Sequence, residues 1–224
     1  MEKAENYRVH RWLHWYHAVF KHHPEWKWLN LESFFRALRP REEVVAVKLF
    51  SAMVDAHNPA SEAYQRQLKY FEALRTFASV KIILGLFQNR EVSCRIDCGK
   101  PIPEKRYTVP EEKKTDVNIA VEMMADALTG CCERLCVVSG DSDVQPVVEW
   151  ITKRRQDLKL TVYIPAIPQE QTKRRLDYYR TQNLDVECDF LPLASLPHHQ
   201  LKNVIQLGSG KVAVRPPLWK KADS

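Results

Sequence analysis

The apolar positions of this chain change their period along its length, and the changes mark out its elements. Between Trp12 and Phe20 the residues Trp12, Trp15, Tyr16, Val19 and Phe20 recur at three and four positions, one face of a helix. A second short helix is predicted over residues 31–38, ahead of Pro40, and residues 44–54 form a compact apolar run of β-formers that reads as a buried strand. Residues 61–77 carry Tyr64, Leu68, Phe71 and Leu74 at helical spacing, and the apolar stretch 80–87 reads as the next strand. From 115 to 128 the positions Val117, Ala120, Val121, Met124 and Leu128 fall on one stripe that ends at Gly130, a residue suited to closing helices. There follow a strand over 135–138, a turn, a helix through Val144, Val147, Val148 and Ile151, and a strand over 160–164.

Strands alternating with helices of ten to fifteen residues imply right-handed βαβ units and a mostly parallel sheet, so the class is α/β. Residues 91–110 interrupt this rhythm with Gly99, Pro101 and Pro103 and are either a hairpin or an irregular insert. Beyond Phe190 the chain is proline-rich and closes on Arg215-Pro216-Pro217-Leu218-Trp219. We expect residues 1–190 to be one domain and 191–224 a strap packed on it.

Composition narrows the partners. The chain has 224 residues, a length for a single domain, with a formal charge of +6 and a pI near 9.0. Basic runs occur at Lys153, Arg154 and Arg155 and at Lys173, Arg174 and Arg175; such surfaces attract phosphate backbones, although basic residues at helix ends also simply offset the dipole. Met1–Arg11 is polar and charged, and no apolar run is long enough to cross a bilayer. With six cysteines, of which Cys131, Cys132 and Cys136 lie in or beside a strand-like run, the expected setting is the reducing cytoplasm, without a disulfide framework and without a membrane partner.

The chemistry concentrates in two turns. Val137-Val138-Ser139-Gly140-Asp141-Ser142-Asp143 sets two carboxylates where a buried strand passes into a helix, the place where open α/β sheets bind ligands. Gly140 suits a sharp turn, and Ser142 with Gln145 has the spacing of a capping box. An aspartate there can serve merely as a cap worth about 1 kcal/mol, but one cap does not need two aspartates. Asp116 precedes Ala120 by four positions and Met123 by seven, so it projects from the inward side of a first helical turn. It can favour the helix dipole there, yet an acid turned toward the sheet also needs a partner. A cation shared with Asp141 and Asp143 would provide it; three such carboxylates suit Mg2+ or Mn2+ and phosphodiester hydrolysis.

Glu112-Lys113-Lys114-Thr115-Asp116-Val117-Asn118-Ile119-Ala120-Val121-Glu122-Met123, followed by Val138-Ser139-Gly140-Asp141-Ser142-Asp143, resembles the paired signature of NYN domains of the LabA-like group, relatives of the PIN nucleases. Trp28-Leu29-Asn30-Leu31, Lys48-Leu49-Phe50-Ser51-Ala52 and the closing Arg215–Trp219 segment resemble the same group, so the likeness spans about residues 16–219. It implies a three-layer α/β/α PIN-like fold. It also implies Asp116, Asp141 and Asp143 as metal-binding catalytic acids, with Asn118 and Ser139 as supporting groups and Glu122 where relatives often carry aspartate. RNA is the implied partner, with Lys113 and Lys114 added to the two basic runs as its contacts, and a homodimer is admitted.

The chain departs from the family at its start, where relatives open with a strand ending in an Asp-Gly-x-Asn-Leu-type motif. Matching back from Tyr16-His17-Ala18 puts Arg11, Trp12 and His14 on that aspartate, glycine and asparagine. No strand is expected before them, which implies either a start farther upstream or a lost ligand. Cys94 and Cys98 resemble a cysteine pair of some relatives, half of a structural zinc site. Three functions are therefore open: a Mg2+- or Mn2+-dependent ribonuclease impaired by the missing aspartate, an inactive RNA-binding or regulatory module, and a phosphatase or sugar transferase built on Asp-x-Asp.

Overall fold

The computed structural model describes residues 5–11, 19–93, 106–166, 169–181, 184–208 and 210–220, with the backbone alone at 5–11, 170–172 and 180. Six strands form the main sheet: β1 (Glu5–Arg11), β2 (Glu42–Ser51), β3 (Val80–Leu84), β6 (Arg134–Val138), β7 (Lys159–Ile164) and β8 (Val186–Phe190). Their order is β3-β2-β1-β6-β7-β8, and all neighbours run parallel. The chain is thus mixed α/β, as its alternating periods indicated. It proceeds outward from β1 in one direction and from β6 in the other, so the switch point of the sheet lies between β1 and β6. That is where a parallel sheet opens a crevice at its carboxyl ends.

The expectation of an absent first strand is overturned. Glu5-Asn6-Tyr7-Arg8-Val9-His10-Arg11 is β1, hydrogen-bonded on both sides, with Arg11 opposite Leu49 of β2 and Val138 of β6. The segment was hard to recognise because central parallel strands normally read as continuous apolar runs, and this one carries only Tyr7 and Val9. Two flanking strands nevertheless satisfy its backbone, and tertiary pairing prevails over composition. The helix expected from Trp12 to Phe20 lies outside the described residues except for Val19 and Phe20, both buried.

Between Tyr7 and Arg8 the pairing with β2 slips by one residue, a bulge that leaves Val45 extra. Beyond it, Val47 and Leu49 enter one core, while Phe50 enters the other. Strand β6 divides likewise: Cys136 and Val138 face the first core, Leu135 and Val137 the second. The first core takes Phe34 and Phe35 of α1 (Leu31–Leu38) and Phe71 and Leu74 of α2 (Glu62–Leu74). The second takes Ile119 and Met123 of α3 (Thr115–Thr129), Val148 and Ile151 of α4 (Gln145–Arg154) and Tyr179 of α5 (Glu170–Thr181). Asn30 caps α1 through Ser33 N–H (3.0 Å) and Ser61 caps α2 through Tyr64 N–H (3.2 Å).

Helix α3 ends at Gly130, whose φ of 61° is the left-handed conformation glycine adopts without strain. The face it buries is not the expected stripe. Thr115, Ile119, Met123, Asp126 and Ala127 turn inward, whereas Val117, Val121 and Leu128 are 66 %, 57 % and 63 % exposed. Apolar residues occur nearly all round this helix, so periodicity could not decide which stripe meets the sheet.

Strands β4 (Leu86–Ser93) and β5 (Arg106–Lys113) form an antiparallel hairpin whose side chains are mostly exposed. Of the ambiguous segment, residues 94–105 lie outside the described residues; the strands flanking them pair, and the pairing begins earlier than expected, directly after β3. Gly85 joins the two: a Cβ there would stand 2.6 Å from the Lys113 carbonyl oxygen and 2.5 Å from Thr115 Oγ1. The hairpin base therefore packs tightly against the start of α3.

In the C-terminal segment, Leu191, Leu196, Leu201, Ala213 and Trp219 join the first core, and Trp219 lies 6.3 Å from Trp28 and 6.1 Å from Tyr70, ring centroid to centroid. Strands β9 (Val204–Gln206) and β10 (Val212–Val214) pair within it. At the amino ends of the main strands, Arg39 and Arg134 share Glu42, at 2.6 and 2.9 Å, and both also bond Glu187 and Thr161. Two guanidinium groups and two carboxylates balance there, tying β2, β6, β7 and β8 together at the end opposite the acidic turn.

Candidate metal and nucleic-acid site

The site is built where β6 ends. Ser139 is buried and its N–H donates to the Tyr163 carbonyl at 3.0 Å, which extends the pairing with β7. Its hydroxyl then accepts from Asp141 N–H at 3.0 Å, and Asp141 Oδ1 accepts from Asp143 N–H at 3.1 Å. The cap is therefore Asp141, placed on a short 3-10 turn over Ser142–Val144, and the expected Ser142–Gln145 capping box does not form. Pro146 explains the difference: it fits the first turn of α4, which starts at Gln145, so the chain tightens into one 3-10 turn beforehand.

Asp116 arrives from another direction. Strand β5 ends at Lys113, Lys114 takes a left-handed φ of 73°, and the chain reverses into α3. A lysine in that conformation costs about 1 kcal/mol, accepted at an abrupt strand-to-helix junction. Asp116 falls in the first turn of α3 with one carboxylate oxygen, Oδ1, buried and without any hydrogen-bond partner. Burial raises its pKa, and the charges of Asp141 and Asp143 raise it further. Two separate helix beginnings thus bring three acids within electrostatic reach of one another. Glu112 is raised too, by burial first, opposed by its hydrogen bond from the Thr115 hydroxyl and reinforced by Asp116.

Among the described residues no three His, Cys, Asp or Glu side chains form a ready-made metal cage. Asp141 turns one carboxylate oxygen, Oδ1, back onto its own turn. The orphaned Asp116 Oδ1 and an all-oxygen donor set fit a hard divalent cation nonetheless. The backbone of Arg11 ends β1 beside Val138, three residues before Asp141.

The remaining predicted residues separate. Glu122 reaches Lys48 Nζ at 2.6 Å instead of the acids, and Asp126 reaches the same ammonium at 2.7 Å. Lys48 is only 4 % exposed. This ion triad between β2 and α3 went unnoticed in the sequence, although a lone lysine within the apolar run Val44–Phe50 was a usable signal. Asn118 donates its backbone N–H to the Lys114 carbonyl at 2.9 Å. Lys113 pairs with Glu111 (2.8 Å), Lys153 with Glu149 (3.4 Å) and Arg155 with Asp157 (2.7 Å), while Arg154 stands 4.7 Å from the Trp150 ring centre. Lys114, Lys173, Arg174 and Arg175 are exposed. Cys94 and Cys98 lie outside the described residues, as do Trp12 and His14; Cys131, Cys132, Cys136 and Cys188 stand as thiols.

The family model of the NYN domain matches residues 16–182, three quarters of the chain. The chain belongs to the NYN-domain family. NYN domains fall within the PIN-like nuclease superfamily, so the acids of this NYN domain stand on a nuclease-related scaffold. A similar curated protein is 6-hydroxy-3-succinoylpyridine 3-monooxygenase HspA of Pseudomonas putida, 24 % identical over 140 residues, which cover 58 % of this chain and 45 % of that protein. The match spans less than half of that relative's length. A solved protein of unknown function from Vibrio parahaemolyticus is similar at 18 % identity and a TM-score of 0.46, over 84 % of this chain and 94 % of the other. Among the described residues no helix is long and apolar enough to cross a membrane.

The electrostatics of this NYN domain give a stability prediction. A carboxyl whose folded pKa is raised contributes most to stability when protonated, below its unfolded pKa, and that contribution is lost as pH rises through the folded value. Asp116→Asn removes the ionisation and should stabilise the metal-free protein by about 1 kcal/mol at neutral pH, ~2–4 °C in Tm. The gain should vanish as pH falls through the carboxylate range; thermal unfolding in chelator at several pH values measures it, and a lower Tm at pH 7 would contradict it.

Proposed function

We propose that this NYN domain is a metal-dependent ribonuclease of the LabA-like, PIN-like type, with one domain over residues 1–190 in a three-layer α/β/α arrangement and residues 191–224 strapped onto it. The observation that carries the reading is Asp116: a buried, unpartnered carboxylate oxygen whose ionisation Asp141 and Asp143 oppose. Such a group is costly unless a cation neutralises it. Asp116, Asp141 and Asp143 would hold Mg2+ or Mn2+, which when bound would lower the pKa of water and neutralise charge developing on a phosphodiester. Asp141 Oδ1 caps its own turn, and Ser139, anchored to β7, holds that turn in place. The exposed Lys114, Lys173, Arg174 and Arg175 favour an RNA backbone, and the six cysteines favour a reducing cytoplasm.

Digestion of a mixed RNA pool with and without manganese tests this. Asp141→Asn should slow metal-dependent cleavage at least about tenfold. Equal background for wild type, variant and chelator-treated protein would remove the enzyme.

Arg11 favours a second reading. A basic residue ends the central strand where the family's aspartate is matched, so the module would bind RNA and not turn it over. Salt-sensitive RNA binding without manganese-dependent products is the result that selects it.

A further inference from the structure

Next to the acidic turn, at the carboxyl ends of β6 and β7, lies a cleft of about 490 Å³. Its volume falls within the range of sites that take one small ligand. One side is the Gly140–Ser142 turn with Gln145; another is the apolar segment Ile164-Pro165-Ala166; α5 closes it with Arg175 and the ring of Tyr179. Of the basic residues singled out in the sequence, Arg175 alone lines this cleft. Its guanidinium makes no ion pair or hydrogen bond among the described residues.

The guanidinium meets the turn at Gly140. A Cβ on Gly140 would stand 2.5 Å from Arg175 Nη1, closer than side chains tolerate, so the guanidinium packs on the bare backbone of the turn that carries Asp141. A planar cation without an ion pair among the described residues thus lies beside the acid proposed to hold metal, with an apolar wall at one side and an amide at another. A phosphodiester presents oxygens to a guanidinium fork and to a metal at once, and its nucleotide offers a flat ring and a polar edge.

Building on the ribonuclease reading, we propose that this cleft seats one nucleotide of the RNA, that Arg175 grips the phosphate joining it to its neighbour, and that the Ile164–Pro165 wall and Gln145 receive its base. The remaining basic residues then act as a diffuse attraction, and Arg175 as the contact that sets where the strand lies relative to Asp141.

Binding of a short fluorescein-labelled single-stranded RNA, followed by anisotropy in EDTA, tests the assignment without turnover. Arg175→Ala should weaken affinity about tenfold or more, and Arg175→Lys should recover part of it. Lys69→Ala removes an equal charge from the exposed face of α2, whose other face packs in the first core, and should change affinity less than about twofold. A nucleoside 5′-monophosphate should compete for the wild type and much less for Arg175→Ala, while the nucleoside competes weakly. Affinity of Arg175→Ala equal to that of Lys69→Ala overturns the cleft and leaves the ribonuclease reading intact. Displacement by nicotinate but not by mononucleotides overturns it in favour of a small aromatic acid. Failure of the wild type to bind RNA at any salt, in EDTA and with manganese alike, removes both.

Discussion

Replacement of Lys48 by alanine should destabilise the protein by about 3–5 kcal/mol, the cost of breaking a buried ion pair by removing one partner. Its ammonium lies 2.7 Å from the Asp126 carboxylate and 2.6 Å from Glu122, and Lys48 and Asp126 are both almost wholly buried. Glu122 is partly exposed and can turn to water; Asp126 cannot do so without moving α3. Since α3 also carries Asp116, loosening its contact with β2 should weaken metal binding as well. Urea unfolding measures the first effect and titration calorimetry with manganese the second. The charge-conserving Lys48→Arg should fall between, because the larger guanidinium has to fit a packed strand. A loss below about 1 kcal/mol for alanine would mean that the triad contributes little.

Arg11→Asp should act in the opposite sense, on metal affinity. Its backbone ends β1 beside Val138, at the switch point where the acidic turn begins. The substitution replaces a cation with an anion at the end of β1, two unit changes of charge beside the turn that carries Asp141. Two such changes near a divalent ion correspond to about 10²-fold in affinity, ~2.7 kcal/mol. Manganese binding by calorimetry should tighten by that factor, and RNA cleavage should rise with it. Unchanged affinity would mean that the end of β1 does not belong to the site, and the nuclease reading would then depend on Asp116, Asp141 and Asp143 alone.

Much of the architecture was legible in the chain itself, because the elements that pack against each other carry uninterrupted periods. Helix Leu31–Leu38 ahead of Pro40, the strands through Val47 and Val137, and the helix from Thr115 to Gly130 each combine an apolar run with a stop signal. The paired acidic motifs were legible for the same reason: each occupies a junction that local chemistry specifies. Strand β1, the inward face of α3 and the partner of Glu122 were not legible. Polar Glu5–Arg11 becomes a central strand only because β2 and β6 flank it, α3 has apolar residues on more than one side, and Lys48 lies 74 positions from Glu122. Residue types and their spacing thus determined the class, the junctions and the acids. Which strand fills the switch point, which stripe of α3 is buried and which arginine reaches the cleft were decided by tertiary structure, since pairing and burial depend on neighbours distant in sequence.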